Sequence, residues 1–131
     1  MAAPNTAEDI CDYLINTVGL TPTTVGFLAR EPIAQYAVVE YPGPDNVKTH
    51  GNKPGVRLDE CFVQVMARHS TAQTARNNIM TVVDALDGLQ NTTINSVVYT
   101  YIRLKGRPRL LERLEDGTAV YIAEFHTQAR R

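Results

Sequence analysis

Ser70–Gly88 reads STAQTARNNIMTVVDALDG, and its apolar residues Ala72, Ala75, Ile79, Val82, Val83 and Leu86 fall on one stripe with i, i+3, i+4, i+7 spacing. That periodicity predicts an amphipathic helix laid against a flat apolar surface. Ser70 is placed to cap it, Gln73 follows three residues on as in a capping box, and Gly88 offers a left-handed stop. Strand-like segments lie on both sides, so the surface under the helix is a β-sheet. Upstream runs Glu60–His69 (ECFVQVMARH); downstream run Val97–Leu104 (VVYTYIRL) and Thr118–Gln128 (TAVYIAEFHTQ). All three are rich in β-branched and aromatic residues.

Two more strands are expected before these, at Val25–Arg30, stopped by Pro32, and at Ala34–Tyr41 (AQYAVVEY). Ahead of them Thr6–Val18 predicts a helix, with Ala7, Ile10, Cys11, Leu14 and Val18 on its buried stripe. Thr6 and Asp9 have N-terminal capping spacing, Glu8 and Asp9 suit the positive end of the helix dipole, and Gly19 ends the helix before Thr21-Pro22. Asn91-Thr92-Thr93 and Asp116-Gly117 read as turns. The expected fold is α+β: a mixed or antiparallel sheet of four to five strands with two helices packed on one side. The other face then carries Tyr99, Tyr101 and Arg103, with Glu124 and His126, and suits contact with another chain.

Pro42–Leu58 (PGPDNVKTHGNKPGVRL) holds three prolines and three glycines and is expected to form no regular element. A connection of this length is usually functional or disordered. Its Lys48, His50, Lys53 and Arg57, with Asp45 as the opposing acid, read as solvated or as partner-facing.

The chain has 131 residues, 44% hydrophobic and 21% charged, the composition of one globular domain spanning 1–131. No apolar run approaches a membrane span, and the N-terminus lacks the basic flank and apolar core of a signal peptide, so a cytoplasm is the expected compartment and no membrane partner is expected. Cys11 on a helix stripe and Cys61 in a strand read as buried free thiols.

The net charge of −1 conceals a division: residues 1–45 sum to −5 and residues 46–131 to +4. Solvated faces account for this, and so does an acidic surface on one subunit meeting a basic surface on the next. The second arrangement is head-to-tail, and such contacts make rings or filaments.

Enzyme signatures are missing. No histidine has a second ligand at metal spacing, there is no nucleophile elbow, and the glycines of the long loop precede a strand instead of a helix N-terminus. No cofactor is expected. Arg103, Lys105, Arg107 and Arg109 alternate without an intervening acid and share one face while the backbone stays extended, although Gly106 and Pro108 bend the segment. A solvated hairpin, a protein–protein contact and a nucleic-acid-binding module with Tyr99 and Tyr101 as stacking platforms all fit that pattern.

Taken in order, the segments resemble the bacteriophage minor capsid or tail terminator proteins of long-tailed phages. The likeness runs through the N-terminal helix, Pro32 and Ala37-Val38-Val39-Glu40-Tyr41-Pro42-Gly43, then the Gly/Pro-rich loop and Phe62–Arg68. It continues through Thr74-Ala75-Arg76 and Ala85-Leu86-Asp87-Gly88, then Pro108, Leu111, Arg113, Asp116-Gly117 and the strand around Phe125. Where relatives show a Gly-Arg-Asp turn before the last strand, this chain has Glu112–Gly117.

The resemblance implies a structural virion protein, not an enzyme, at the head-proximal end of the tail, assembled in the cytoplasm of a bacterial host. It implies a six-membered ring that caps the tail tube, stops its growth, meets the head-completion or connector proteins and leaves a bore for DNA. Another head–tail connector or minor capsid protein on the same fold is the alternative. Within a ring, Glu8, Asp9 and Asp12 are the acidic contact candidates. Arg103, Lys105, Arg107 and Arg109 are the basic ones, and Lys48, His50, Lys53 and Arg57 are candidates to reach an adjacent subunit or partner.

Overall fold

The computed structural model describes residues 6–41, 48–50 and 57–130. Helix α1 (Thr6–Tyr13) widens into a π-helical turn, Leu14–Val18, closed by Gly19 at φ +84 as its N–H bonds to the Leu14 carbonyl. Then come β1 (Thr23–Val25), β2 (Gln35–Tyr41), β3 (Lys48–His50) and β4 (Arg57–His69). Helix α2 (Ala72–Leu86) leads to β5 (Leu89–Ile94), β6 (Val97–Leu104), β7 (Arg109–Arg113) and β8 (Ala119–Arg130).

All eight strands join one mixed sheet in the order β1-β2-β4-β8-β6-β5, with β3 beside β4 and β7 beside β8. Among the described residues, only β1 and β2 pair in parallel. The α+β class stands, but eight strands replace the expected four to five. The additional ones are short pieces at the margins. β7 is exposed at every residue and so shows no burial alternation. β5 occupies the segment read as a turn, because Asn91 at φ +49 is a turn-like residue inside a strand. Lys48–His50 pairs with Arg57–Asp59, so the Gly/Pro-rich segment does hold a regular element; 42–47 and 51–56 lie outside the described residues. The first strand ends at Val25 instead of beginning there.

Both helices cover the same face. Ala7 and Ile10 from α1, Leu14 from the π-helical turn after it, and Ile79, Val82 and Leu86 from α2 are buried in one core with Val38, Val63, Val65, Ile102 and Phe125. Complete burial of an aliphatic side chain of this size stabilises by about 1.5–3 kcal/mol, so the stripe read in α2 supplies a large part of the driving force. Thr71, not Ser70, is the N-cap of α2, and its hydroxyl accepts no backbone N–H, donating instead to the Thr74 hydroxyl at 2.7 Å. The C-terminal end turns at Asp87, whose carboxylate accepts the Leu104 N–H at 2.8 Å and so ties the helix to β6. Cys11 and Cys61 are both buried, and they form no disulfide with each other.

One irregularity decides which residues face outward. Between Tyr99 and Tyr101 the β6–β8 register shifts by one, leaving Thr100 as the extra residue of a bulge. Strand parity therefore reverses: Tyr99 and Ile102 are both fully buried under the helices, while Tyr101 lies on the opposite face. Tyr99 is thus not on the half-polar face where uninterrupted alternation would place it. Its hydroxyl donates to the buried Asp9 carboxylate of α1.

Candidate assembly surfaces

The face away from the helices is built by β4, β8 and β6. The register sets Phe62 opposite His126, and His126 opposite Arg103. The His126 ring stacks on Phe62 with centroids 4.7 Å apart and meets Tyr101 edge-on at 5.3 Å. Tyr101 Oη donates to Glu60 Oε1 at 2.9 Å, and His126 Nε2 stands 3.5 Å from that same oxygen. Cations roof the rings: Arg103 Cζ lies 4.0 Å above the Tyr101 centroid and Lys105 Nζ 4.6 Å from that of Phe62. Phe62, Arg103, Leu104, Lys105 and His126 line a shallow groove of about 390 Å³.

Burial and charge act on this cluster together. Partial burial lowers the His126 pKa below its ordinary value; Arg103 and Lys105 push it the same way, while Glu60 opposes them. Burial, and then the bond to Glu60, raise the pKa of Tyr101. At neutral pH the histidine is therefore a neutral packing ring and the positive charge belongs to Arg103 and Lys105. Farther along the face, Glu124 Oε1 accepts from Arg109 at 3.0 Å and from Gln64 at 3.3 Å. The remaining end lies beside the segment joining β1 to β2. There Arg68 donates to the carbonyls of Ala29, Pro32 and Ile33, and Gln35 pairs with both backbone groups of Ala29.

The basic candidates do not all share one face. Arg103, Lys105 and Arg109 belong to the open face, but Gly106 at φ +79 redirects the chain and sends Arg107 to the helix side. Arg107 there joins Arg76, Ile79, Met80, Pro108 and Tyr121 around a second groove of about 400 Å³. The acidic candidates separate too. Glu8 is exposed on α1. Asp9 is buried, bonded to Tyr99 and to Asn95 Nδ2 at 3.0 Å, and Asp12 accepts from that same amide at 2.8 Å. The Asp9 carboxylate thus fastens α1 to the β5–β6 turn. Lys48 and His50 bound β3, and Arg57 opens β4 opposite His50; Lys53 lies outside the described residues.

The sequence pattern left Phe62 and Glu60 out of the site. Their signal was available in the alternation of ECFVQV, which puts Glu60, Phe62 and Gln64 on one face of a strand whose other face is apolar. Among the described residues no group of three His, Cys, Asp or Glu side chains could hold a metal ion. No helix among them is long and apolar enough to cross a membrane.

The sequence matches the family model described as bacteriophage tail terminator protein over residues 13–131, nearly the whole chain. The chain belongs to the bacteriophage tail terminator family. Membership makes it a structural protein of the phage virion, with its place in the tail. Among solved structures, a chain from the virion of a native gene transfer agent particle matches with a TM-score of 0.56 and 16% sequence identity, over 90% of this chain and 84% of that one. At that identity the likeness is one of fold. A search of curated proteins returned no match.

Proposed function

We propose that this tail terminator acts as a ring of identical copies that caps the tail tube, stops tube polymerisation and presents a surface to the head-completion or connector proteins. The observation that carries this reading is the division of the sheet. Two helices seal one face, and the other carries a cation–aromatic platform of Phe62, Tyr101, Arg103, Lys105 and His126. Aromatic rings with arginine beside them are the side chains on which protein contacts concentrate their energy. The stacked and edge-on packing of these rings makes the platform stiff, so little order is lost when a partner docks.

The test is tube assembly. Purified chain added to polymerising tail tube protein is expected to shorten the tubes and leave a disc of density at one end in negative stain. Tubes of unchanged length with bare ends would contradict the proposal. A ring that caps a DNA-bearing tail also leaves a bore. Arg103 and Lys105 favour a second use of the platform, as a phosphate contact for DNA in transit. Because these cations already cover the rings, this contact is sequence-independent and involves no base stacking. Replacing one such cation by Ala then lowers the slope of log affinity against log salt by about 0.9 for each duplex phosphate that it neutralised; an unchanged slope would remove DNA from the account.

A further inference from the structure

The two margins of the sheet expose unlike apolar patches at the same level of the molecule. The register runs as one row from Thr23 through Tyr36, Ala67 and Tyr121 to Leu110, so β1 and β7 are the opposite ends of a five-strand row β1-β2-β4-β8-β7. At the β7 end Leu110, Leu111 and Leu114 are 45%, 51% and 48% exposed. At the β1 end Phe27 is 65% exposed, with Val25 and Ile33 both at 37%. Scattered exposed leucines are ordinary, but three within five residues, two on an edge strand and one just past its end, matched by an exposed phenylalanine at the other edge, form patches.

Strand direction and charge agree on what meets them. β1 runs parallel to β2, and each later strand of the row is antiparallel to its neighbour, so β7 runs opposite to β1. A β7 edge brought beside the β1 edge of another copy is thus an antiparallel neighbour, and the sheet continues from copy to copy. On the β1 side, residues 6–34 carry Glu8, the buried Asp9, Asp12 and Glu31 against Arg30; on the β7 side, residues 103–115 carry five cations, of which Arg109 is paired with Glu124, against Glu112 and Glu115. Helix α1 lies over β1 and β2, whereas Arg76 of α2 and Arg107 stand by Tyr121 on the same helix-covered side near β7. Edge contact therefore brings Glu8 of one copy towards Arg76 and Arg107 of the next.

We infer that copies of this chain join head to tail by setting the β7 edge (Leu110, Leu111, Leu114) against the β1 edge (Val25, Phe27, Ile33) of a second copy. The two surfaces differ, so the contact is heterologous, leaves one free patch at each end of any open chain, and propagates until it closes. This deepens the ring proposed above and rests on it.

Complementation of two broken edges tests the assignment. Phe27→Asp damages only the β1 patch; Leu110→Asp with Leu111→Asp damages only the β7 patch. Each variant alone is expected to stay monomeric by light scattering under conditions where the wild type assembles. Their equimolar mixture is expected to stop at a one-to-one heterodimer, because it contains one intact pair of edges. A misfolded variant forms no heterodimer, and a folded one shows wild-type circular dichroism. Wild-type rings that survive both variants overturn the edge assignment while leaving the ring standing. So does loss of assembly in the β7 variant alone, which signals a like-with-like contact. A variant pair that is folded, yet forms no heterodimer, also overturns it. A wild type that stays monomeric even with tube protein overturns the ring and the edges together.

Discussion

The two faces of the central strands are made of neighbouring residues with opposite fates. On β4 and β8, Val63, Val65, Ala67, Ala123 and Phe125 are sealed beneath the helices, while Phe62, Gln64, Glu124 and His126 between them stay half-buried on the other side. A period of two lets one strand serve both ends at once. The sealed face supplies the burial that holds the fold, and the open face can carry charge, rings and hydrogen bonds chosen for contact. Stability and assembly are therefore separable by substitution.

The largest separation is expected in the core. Phe125→Ala should cost about 3–5 kcal/mol in urea unfolding and Leu86→Ala about 2–5 kcal/mol, since each removes a fully buried side chain. Gln64→Ala, one strand over and on the open face, should cost less than about 1 kcal/mol. Equal losses would mean that the open face is also core.

Tyr99 and Tyr101 sharpen the comparison, because they are two residues apart and stand on opposite faces. Tyr99→Phe strips a hydroxyl from the buried Asp9 carboxylate and should cost about 1–3 kcal/mol. Tyr101→Phe removes a bond to the partly exposed Glu60, which water can replace, so its cost should stay below about 1 kcal/mol. If the order is reversed, the bulge does not divide the faces as described.

Smaller effects are expected from the cations. Arg103→Ala and Lys105→Ala should each lower stability by only about 0.5–1 kcal/mol, the worth of a cation over an exposed ring. Both should nevertheless weaken docking on the tube, measured by co-sedimentation with preformed tubes. Docking that persists in the double variant would assign the platform no part in it.

The smallest effect is a pH dependence. Because His126 is held below its ordinary pKa of 6.5 in the fold, the unfolded chain takes up the proton more readily. Its contribution to stability is therefore complete above that value and fades as pH falls through the lowered folded pKa. The thermal midpoint should drop between pH ~7 and pH ~5 by more in the wild type than in His126→Gln. Parallel profiles would show that the ring is not desolvated on its bed of Phe62 and Tyr101.

What the sequence disclosed follows the same division. Elements that bury one face were legible: α2 from its stripe, β6 with its boundaries at Val97 and Leu104, and the cores of β2, β4 and β8. Elements that bury nothing were not. Arg109–Arg113 is exposed throughout and shows no alternation to read, and β5 hides behind Asn91-Thr92-Thr93, whose residues also suit turns. The site was half legible. The run from Arg103 to Arg109 was plain, but Gly106 sends Arg107 to the other side, and the Thr100 bulge buries Tyr99. The bend is marked in the sequence by Gly106 and Pro108, but the bulge turns on a single residue that shifts parity, which a pattern of twos cannot anticipate. Asp9 looked like any first-turn acid; only the position of Tyr99, ninety residues away, makes it a buried anchor.

Native mass spectrometry of the purified wild-type chain tests most directly whether unlike edges close on themselves. The account predicts one dominant species at a fixed whole multiple of the 14.5 kDa subunit, unchanged by dilution over a decade of concentration. Monomer at every concentration, or an open ladder of sizes that lengthens as protein is added, would contradict it.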